Sequence, residues 1–305
     1  MKYLYSLMLV AASLAFVACD DDDNNESNSL PNGALPSEEF TLGNFGDDTY
    51  AESIMIESED EKNAPFISLE LLGDGHYLLH SYNTQYAPTK SRRLKKTPLS
   101  PYATYSTNGY EYGQYTKNGN VYTLGNGWKV DISEINSRLI KYISDTGFTE
   151  TFAGGIKETE NNIETNTLCR PWLMKTTEEW GFMNNIYVAY IKWYKEDGEW
   201  KNTFKAIAGL DDNDFLEKDD IMERIMFSQN GTYLCQYTDG EIDLGTWNWV
   251  SRSEGIYHYQ WIDDTDNNDV TVRFKGKQMR MYEDGYEHES GMTEHLHVVY
   301  TLTVK

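Results

Sequence analysis

The chain has 305 residues, of which 49 are acidic and 26 are Lys or Arg, so its formal net charge is −23. A surplus of negative charge this large argues against nucleic acid as a partner and against electrostatic docking on anionic lipid. Aromatic residues make up 14% of the chain and Pro is scarce, which favours strands over helices. The length suits one large or two ordinary domains.

The first 18 residues have the pattern of a secretory signal. Lys2 supplies a positive start, and the almost entirely apolar run from Leu4 to Val17 is too short for a comfortable membrane span. This run leads directly into Cys19, an arrangement that resembles the lipobox of bacterial lipoproteins. The resemblance implies removal of residues 1–18 and a membrane anchor of palmitate-like acyl chains on Cys19. The alternative is an ordinary cleaved signal peptide followed by an incidental cysteine.

Residues 19–40 are predicted to be a disordered acidic tether. Asp20 to Asp23 precede a stretch rich in Asn, Ser, Pro and Glu, which cannot bury enough apolar surface to fold. Such a tether reaches at most about 70 Å. An acidic run directly after a lipidated cysteine resembles the surface-export signal of Bacteroidota lipoproteins, which implies the outer face of the outer membrane. A spacer on a lipoprotein that faces the periplasm is the alternative.

The second half of the chain consists of eight short segments in which apolar and polar residues alternate. They are 186–193, 225–227, 232–237, 246–249, 256–261, 270–274, 278–282 and 295–304, and turn signals separate them at 229–231, 239–240, 275–277 and 283–285. This spacing predicts an antiparallel sandwich or an up-and-down barrel. One short helix is expected at about 203–222, with Asn213 or Asp214 as its N-cap.

The first half repeats part of this pattern. The run Gly75-His76-Tyr77-Leu78 corresponds to Gly231-Thr232-Tyr233-Leu234, and Gly113 corresponds to Gly245. The chain therefore looks like a divergent duplication with an insertion in its first copy. The predicted organisation is a signal peptide (1–18), the tether (19–40), an N-terminal β domain (41–156), a polar linker (157–167) and a C-terminal β domain (168–305).

Three motifs of the second half resemble the lipocalin-like domains of secreted Bacteroidota lipoproteins. They are Cys-Arg-Pro-Trp at 169–172, Phe-Ser-x-x-Gly-Thr-Tyr at 227–233 and Gly-x-Trp-x-Trp at 245–249. The resemblance covers 166–305 well and 45–155 only weakly. It implies a mainly β protein with two antiparallel modules, the C-terminal one a lipocalin-like up-and-down barrel that holds a ligand in some members. It carries no set of catalytic residues.

Two groups of residues are candidate contacts for a partner. The aromatic residues of adjacent strands either fill a barrel or line a ligand cavity; they are Trp247, Trp249, Tyr257, Tyr259 and Trp261. The insertion of the first half carries positive charge in an acidic protein, and it either contacts an anionic partner or pairs with the protein's own acids. Its basic residues are Lys90, Arg92, Arg93, Lys95 and Lys96.

Other candidate sites favour structural roles. Cys169 and Cys235 either pair as a disulfide or are buried separately as small apolar residues. His295 and His297 share the outward face of a terminal strand, where we expect surface histidines rather than metal ligands, although acids and a histidine at 287–289 lie nearby. The acidic cluster around Asp264 lacks the glycine and glutamate of a calcium loop. We therefore expect no metal, no cofactor and no catalytic residues.

Two functions follow from these patterns. The first is a non-enzymatic surface module that binds a small apolar or glycan ligand inside a barrel. The second is a structural or interaction protein of the cell surface whose barrels are filled. A roomy interior with a few convergent polar groups favours the first. Packed interiors and an exposed apolar patch favour the second, whose protein partner the sequence does not identify.

Overall fold

The computed structural model describes residues 39–42, 53–60, 64–81, 95–96, 105–107, 110–144, 146–158, 162–206, 218, 221–262, 267–289 and 291–304. The predicted signal peptide, Cys19 and the tether up to residue 38 lie outside these ranges. Within them, no helix is both long enough and apolar enough to cross a membrane.

The first half of the chain forms an eight-stranded antiparallel barrel. Its strands are β1 (Ile54–Ser58), β2 (Ser68–Leu71), β3 (His76–His80), β6 (Tyr110–Asn118), β7 (Val121–Leu124), β8 (Lys129–Asp131), β9 (Leu139–Ile143) and β10 (Thr149–Ile156). Pairing of β1 with β10 closes the ring. The short strands β4 (Lys95–Lys96) and β5 (Tyr105–Thr107) continue the sheet beside β6, and a single 3-10 turn covers Ile135–Ser137.

The second half forms another barrel of eight antiparallel strands. They are β11 (Pro171–Met183), β14 (Met222–Phe227), β15 (Thr232–Tyr237), β16 (Ile242–Ser251), β17 (Ile256–Trp261), β18 (Asn267–Lys275), β19 (Gln278–Glu289) and β20 (Met292–Val304), and β11 pairs with β20 to close the ring. The hairpin of β12 (Ile186–Glu196) and β13 (Glu199–Ala206) extends the sheet beside β11. The predicted mainly β fold with two antiparallel modules is confirmed, and both modules are barrels.

The structure corrects two details of the predicted elements. Glu199–Ala206 is a strand, so the helix expected at 203–222 is wrong where the structure describes it; Trp200 and Phe204 alternate with polar residues and pair with β12. Asn213 and Asp214 lie outside the described residues. The turn expected at 283–285 is also absent from the described strand β19, which continues to Glu289.

The described α-helix is Ile163–Leu168, which lies at the C-terminal end of the predicted linker. The Asn162 side chain caps it by accepting a hydrogen bond from the Thr165 backbone N–H at 2.8 Å. The helix leads directly into β11, where the indole N–H of the fully buried Trp172 donates to the Leu168 carbonyl at 2.9 Å. The described residues 162–168 therefore have a defined conformation next to the second barrel.

The two barrels follow the same path and share the same details at their third and fourth strands. Tyr77 lies opposite Gly113 in the first barrel, and Tyr233 lies opposite Gly245 in the second. The turns before these tyrosines are equivalent, since Gly75 donates to the Leu72 carbonyl and Gly231 donates to the Ser228 carbonyl, each at 3.1 Å. The glycine pairs recognised in the sequence therefore mark equivalent structural positions.

Glycine is required at Gly245 for a steric reason. A Cβ atom there would lie 2.7 Å from the backbone oxygen of Gln260 on the neighbouring strand, and a Cβ atom on Gly113 would lie 2.9 Å from the Tyr77 ring. Gly75 and Gly231 occupy equivalent positions in the two halves, and glycine is favoured at both because both adopt a positive φ, 88° and 82°.

The barrels pack against each other through equivalent outer faces. Leu72, directly after β2, and apolar side chains of β3 and β6 meet those of β14, β15 and β16 in one buried cluster: Leu72, Leu78, Tyr112, Met226, Leu234, Ile242 and Leu244. At its border, Arg224 forms an ion pair with Asp74 at 3.0 Å, and Thr232 donates to the buried Glu70 at 2.8 Å. The contact is thus a quasi-symmetric interface within one chain.

Residues Glu39–Leu42, here called the strap, lie on the second barrel. Thr41 and Phe274 exchange two backbone hydrogen bonds, of 2.8 and 2.6 Å, and Glu39 forms an ion pair with Lys275. The Phe40 ring is buried beneath the Arg280 guanidinium, whose centre lies 4.4 Å from the ring centroid. The sequence divides these residues between the tether and the first domain, whereas the structure attaches them to the C-terminal barrel.

Candidate binding surface on the second barrel

The aromatic residues proposed as a ligand site belong to the core of the second barrel. Trp247 and Tyr257 are buried, and their rings pack against Phe227 at centroid distances of 5.7 and 5.0 Å. Trp249, Tyr259 and Trp261 pack against the same core. Their polar atoms have internal partners, since the Trp247 N–H donates to the Ser228 carbonyl at 2.8 Å and the Trp249 N–H to the Thr165 hydroxyl at 3.0 Å. These rings therefore fill the barrel.

The interior becomes polar toward one end of the barrel, here called the upper end, where the β11–β12 and β19–β20 hairpins lie. Glu283 accepts hydrogen bonds from the Tyr259 hydroxyl at 2.7 Å and from Asn268 at 2.9 Å. Glu179 and Glu294 are also buried, and the strand alternation places them on the inward side. Carboxylates are costly next to an apolar ligand, so this end of the interior does not suit one.

The outer face of the upper end carries two rows of side chains, nearly all of them with aromatic or imidazole rings, and both rows run across four strands. The first row consists of Tyr187, Phe182, His295 and Tyr286, which are register partners on β12, β11, β20 and β19. The second row, one step lower, consists of Tyr190, Trp180, His297 and Asp284. Within the first row, His295 stacks on Tyr286 at 4.3 Å and on Phe182 at 5.1 Å.

The two histidines converge on one carboxylate. His295 Nε2 and His297 Nδ1 each lie 2.7 Å from Asp284 Oδ1. Although burial favours the neutral acid, the hydrogen bonds from both rings outweigh it and hold the pKa of Asp284 well below its usual range. Asp284 is therefore ionised at neutral pH, and it orients both imidazole rings.

The outward direction predicted for these histidines is correct, but the expected surface exposure is wrong for His297. This residue is only 4% exposed, because Trp180 and Tyr282 lie beside its ring at centroid distances of 5.8 and 6.5 Å. Of the neighbours named in the sequence, the described side chains of Glu287 and His288 do not join the cluster; the partner is Asp284, directly opposite His297 on β19.

The first row and the adjacent Ile186 form an exposed surface, here called the upper patch. Ile186 is 67% exposed, Tyr187 42% and Tyr286 57%, whereas Phe182 beneath them is buried. The strap meets the barrel at Phe274, at the opposite end of the strands. Residues 278–286 of β19 alone span about 26 Å at about 3.3 Å per residue. The upper patch and the strap therefore lie at opposite ends of the second barrel.

The other sequence candidates do not form a site in the described structure. Cys169 and Cys235 are both buried and free, and burial raises the pKa of each thiol well above its usual value, so neither has the character of a nucleophile. Lys95 and Lys96 lie in β4, whereas Lys90, Arg92 and Arg93 lie outside the described residues. Of the acidic loop, the described Asp269 pairs with His258 at 2.7 Å.

Sequence reasoning missed Asp284 because Asp-Gly was taken as a turn signal. The signal that identifies it is the later Ser-Gly at 290–291, which ends β19 at Glu289 and starts β20 at Met292. Pairing outward from that turn places Asp284 opposite His297. Comparison of the chain with protein-family models, with curated proteins and with solved structures found no match.

Proposed function

We propose that the protein is a lipid-anchored interaction module of the bacterial cell surface, without enzymatic activity, whose upper patch docks a protein partner. In this proposal Cys19 carries the lipid after removal of residues 1–18, and the acidic tether holds both barrels outside the outer membrane. The barrels, which we regard as lipocalin-like, serve as scaffolds rather than as ligand containers.

The observation that carries the proposal is the exposed upper patch above a packed interior. Tyr187 and Tyr286 expose large parts of their rings, while the rings inside the barrel pack on one another. Aromatic residues such as tyrosine are enriched at protein interfaces, and a contiguous exposed apolar patch commonly marks an interaction site.

The position of the strap supports the same proposal. The strap connects toward Cys19 and meets the second barrel at the end opposite the upper patch. An anchor on that side directs the lower end toward the membrane and the upper patch away from it. The expected partner presents apolar side chains and a basic rim, because Asp284 borders the patch and the protein has a net charge of −23.

A ligand inside the second barrel is less well supported. Its aromatic residues make the ring contacts of a packed core, and its upper interior carries buried carboxylates. An apolar ligand would need both the space and an apolar lining. Binding of an apolar or glycan probe to the wild type, abolished by Tyr257→Ala, would favour the interior and contradict our proposal.

Site-specific photocrosslinking on intact source cells tests the upper patch. A photoreactive residue replaces Tyr187 in one variant and Val250, which is at least as exposed on the same barrel, in a matched control. We expect one discrete protein adduct from position 187 that is lost when Tyr286→Ser and Ile186→Ser are added, and no such adduct from position 250. No adduct at 187, or the same adducts at both positions, would contradict the proposal.

A further inference from the structure

The cluster of Asp284, His295 and His297 has the composition of a metal site. Imidazole nitrogens and carboxylate oxygens are ligands of Zn²⁺ and of other divalent transition metals. Their three ligand atoms lie within 4.8 Å of one another, and this is the one place in the described residues where three His, Cys, Asp or Glu side chains meet in this way.

The distances allow an ion to enter with small movements. A tetrahedral zinc site with bonds of about 2.0–2.1 Å separates its ligand atoms by about 3.3 Å. Each histidine nitrogen now lies 2.7 Å from Asp284 Oδ1, so each of these two separations must grow by about 0.6 Å. The two histidine nitrogens lie within 4.8 Å of each other and must come to about 3.3 Å as well. The Asp284 side chain is 45% exposed and lies on the solvent side, where a rotation of its carboxylate provides this movement.

The two imidazoles are already held in place by their neighbours. His295 lies between the Phe182 and Tyr286 rings, stacked on both within 20° of parallel. His297, in the second row, lies beside the rings of Trp180 and Tyr282. Rings that are fixed in this way lose little freedom on binding, and such support is what distinguishes a built metal site from a chance pair of histidines.

We propose that Asp284, His295 and His297 bind one divalent transition-metal ion, with Zn²⁺ as the representative ion, through His295 Nε2, His297 Nδ1 and the Asp284 carboxylate. Three protein ligands leave at least one coordination position for water or for a ligand atom from solution. Metal binding does not depend on the partner proposed above, although His295 belongs to the upper patch and Asp284 borders it, because it requires only these three side chains and their ring neighbours.

The described residues include two other histidine–aspartate contacts that serve as internal controls. His258 pairs with Asp269 at 2.7 Å on the surface, with no second histidine in the contact. His76 pairs with Asp74 at 2.9 Å, but Arg224 binds the same carboxylate and places a fixed positive charge where an ion would lie. A general affinity of histidine–aspartate pairs for Zn²⁺ would appear at these positions as well.

Isothermal titration of the detergent-solubilised full chain with Zn²⁺ tests the site. We expect one ion per chain with a micromolar or tighter dissociation constant, weakened at least about tenfold by His295→Gln and unchanged by His258→Gln. His295→Gln is preferred to a change at the buried His297 because His295 is closer to the surface, and a far-ultraviolet dichroism melt checks that the variant folds.

Replacement of Zn²⁺ by Co²⁺ provides an independent measurement, since imidazole and carboxylate ligands give Co²⁺ visible absorption bands that free Co²⁺ in water shows only weakly. We expect these bands in the wild type and in His258→Gln but not in Asp284→Asn. No binding of Zn²⁺ to the wild type, or equal binding by the wild type and a folded His295→Gln variant, would overturn the proposal.

Discussion

The two barrels share a strand path but differ in the length of their strands, and the candidate site lies where the second barrel is longer. The first strand has 5 residues in the first barrel and 13 in the second, and the seventh has 5 and 12. The additional residues of β11, β19 and β20 rise above the core and carry the rows of rings and the Asp284 cluster. The longer strands therefore give the second barrel an outer face that the shorter described strands of the first barrel do not provide.

The insertions differ in the same way. The first barrel inserts β4 and β5 between its third and fourth strands, whereas the second inserts β12 and β13 between its first and second. Of the four inserted strands, only β12 pairs with the elongated β11, and it supplies Tyr187 and Tyr190 to the two rows. The shared core determines the fold, while the unshared segments distinguish the surfaces.

The largest expected effect is a loss of stability in the core of the second barrel. Phe227→Ala removes a fully buried ring that contacts Tyr233, Trp247 and Tyr257, so we expect a loss of about 3–5 kcal/mol in the free energy of unfolding. Denaturant unfolding followed by tryptophan fluorescence measures this loss in the second barrel, which holds every tryptophan except Trp128.

The equivalent change in the first barrel, Leu71→Ala, is the control. Hydrogen exchange should rise mainly in residues 54–156 for Leu71→Ala and mainly in 171–304 for Phe227→Ala. Equal loss of protection in both barrels from either change would show that they unfold as one unit and would remove the distinction between their cores.

The next largest effect is on the stability of the interface between the barrels. Glu70 lies there, at the position of the first barrel that is equivalent to Met226 in the second. Burial raises the pKa of Glu70 to about 7, although the hydrogen bond from Thr232 acts in the opposite direction and lowers it. The folded protein therefore holds a proton that the unfolded chain releases near pH 4.5, so the free energy of unfolding falls as pH rises from about 4.5 to 7, by up to about 3 kcal/mol.

Glu70→Gln should remove this pH dependence, since the amide does not ionise and its oxygen still accepts from Thr232. Chemical unfolding of both proteins from pH 4.5 to 8 measures it: the stability of the wild type should drop relative to that of the variant across this range. Parallel pH profiles would mean that Glu70 ionises normally and that the interface is wetter than its geometry indicates.

The smallest expected effect tests the equivalence of the paired glycines. Gly245→Ala forces a Cβ atom against a backbone oxygen of β17, and we expect a loss of about 1–3 kcal/mol in the free energy of unfolding. Gly113→Ala meets the Tyr77 ring instead, and a side chain moves more easily than a strand, so the loss should be smaller. Thermal melts of the two variants compare them, and a larger loss for Gly113→Ala would reverse our ranking.

Much of the fold follows from the sequence because β strands and turns have local signals. Thr232–Tyr237 and Ile256–Trp261 match their predicted bounds, since both alternate and the turn glycines at 231 and 240 flank the first of them. Strand β13 was missed because acidic residues after 206 suggested a helix cap, and only its pairing with β12 establishes the strand. Closure of the first barrel depends on contacts between β1 and β10, which are distant in sequence.

The candidate surface was harder to predict than the fold. The aromatic motif at 245–249 attracts attention in the sequence, yet its tryptophans turn inward and pack. The rows of rings on the outer face come from four strands, and their register depends on a bulge between Gly181 and Phe182 that no local pattern marks. Ring partners such as Tyr187 and Tyr286 are therefore visible only once the strands are paired.

The strap has a consequence for the order in which the chain is completed. Residues 39–42 leave the ribosome early, but their partners Phe274, Lys275 and Arg280 belong to strands that are made near the end. The strap therefore docks only after the strands that bind it, β18 and β19, have been synthesised. Until then residues 39–42 lack their partners on β18 and β19, so the docking of the strap is one of the last steps of folding.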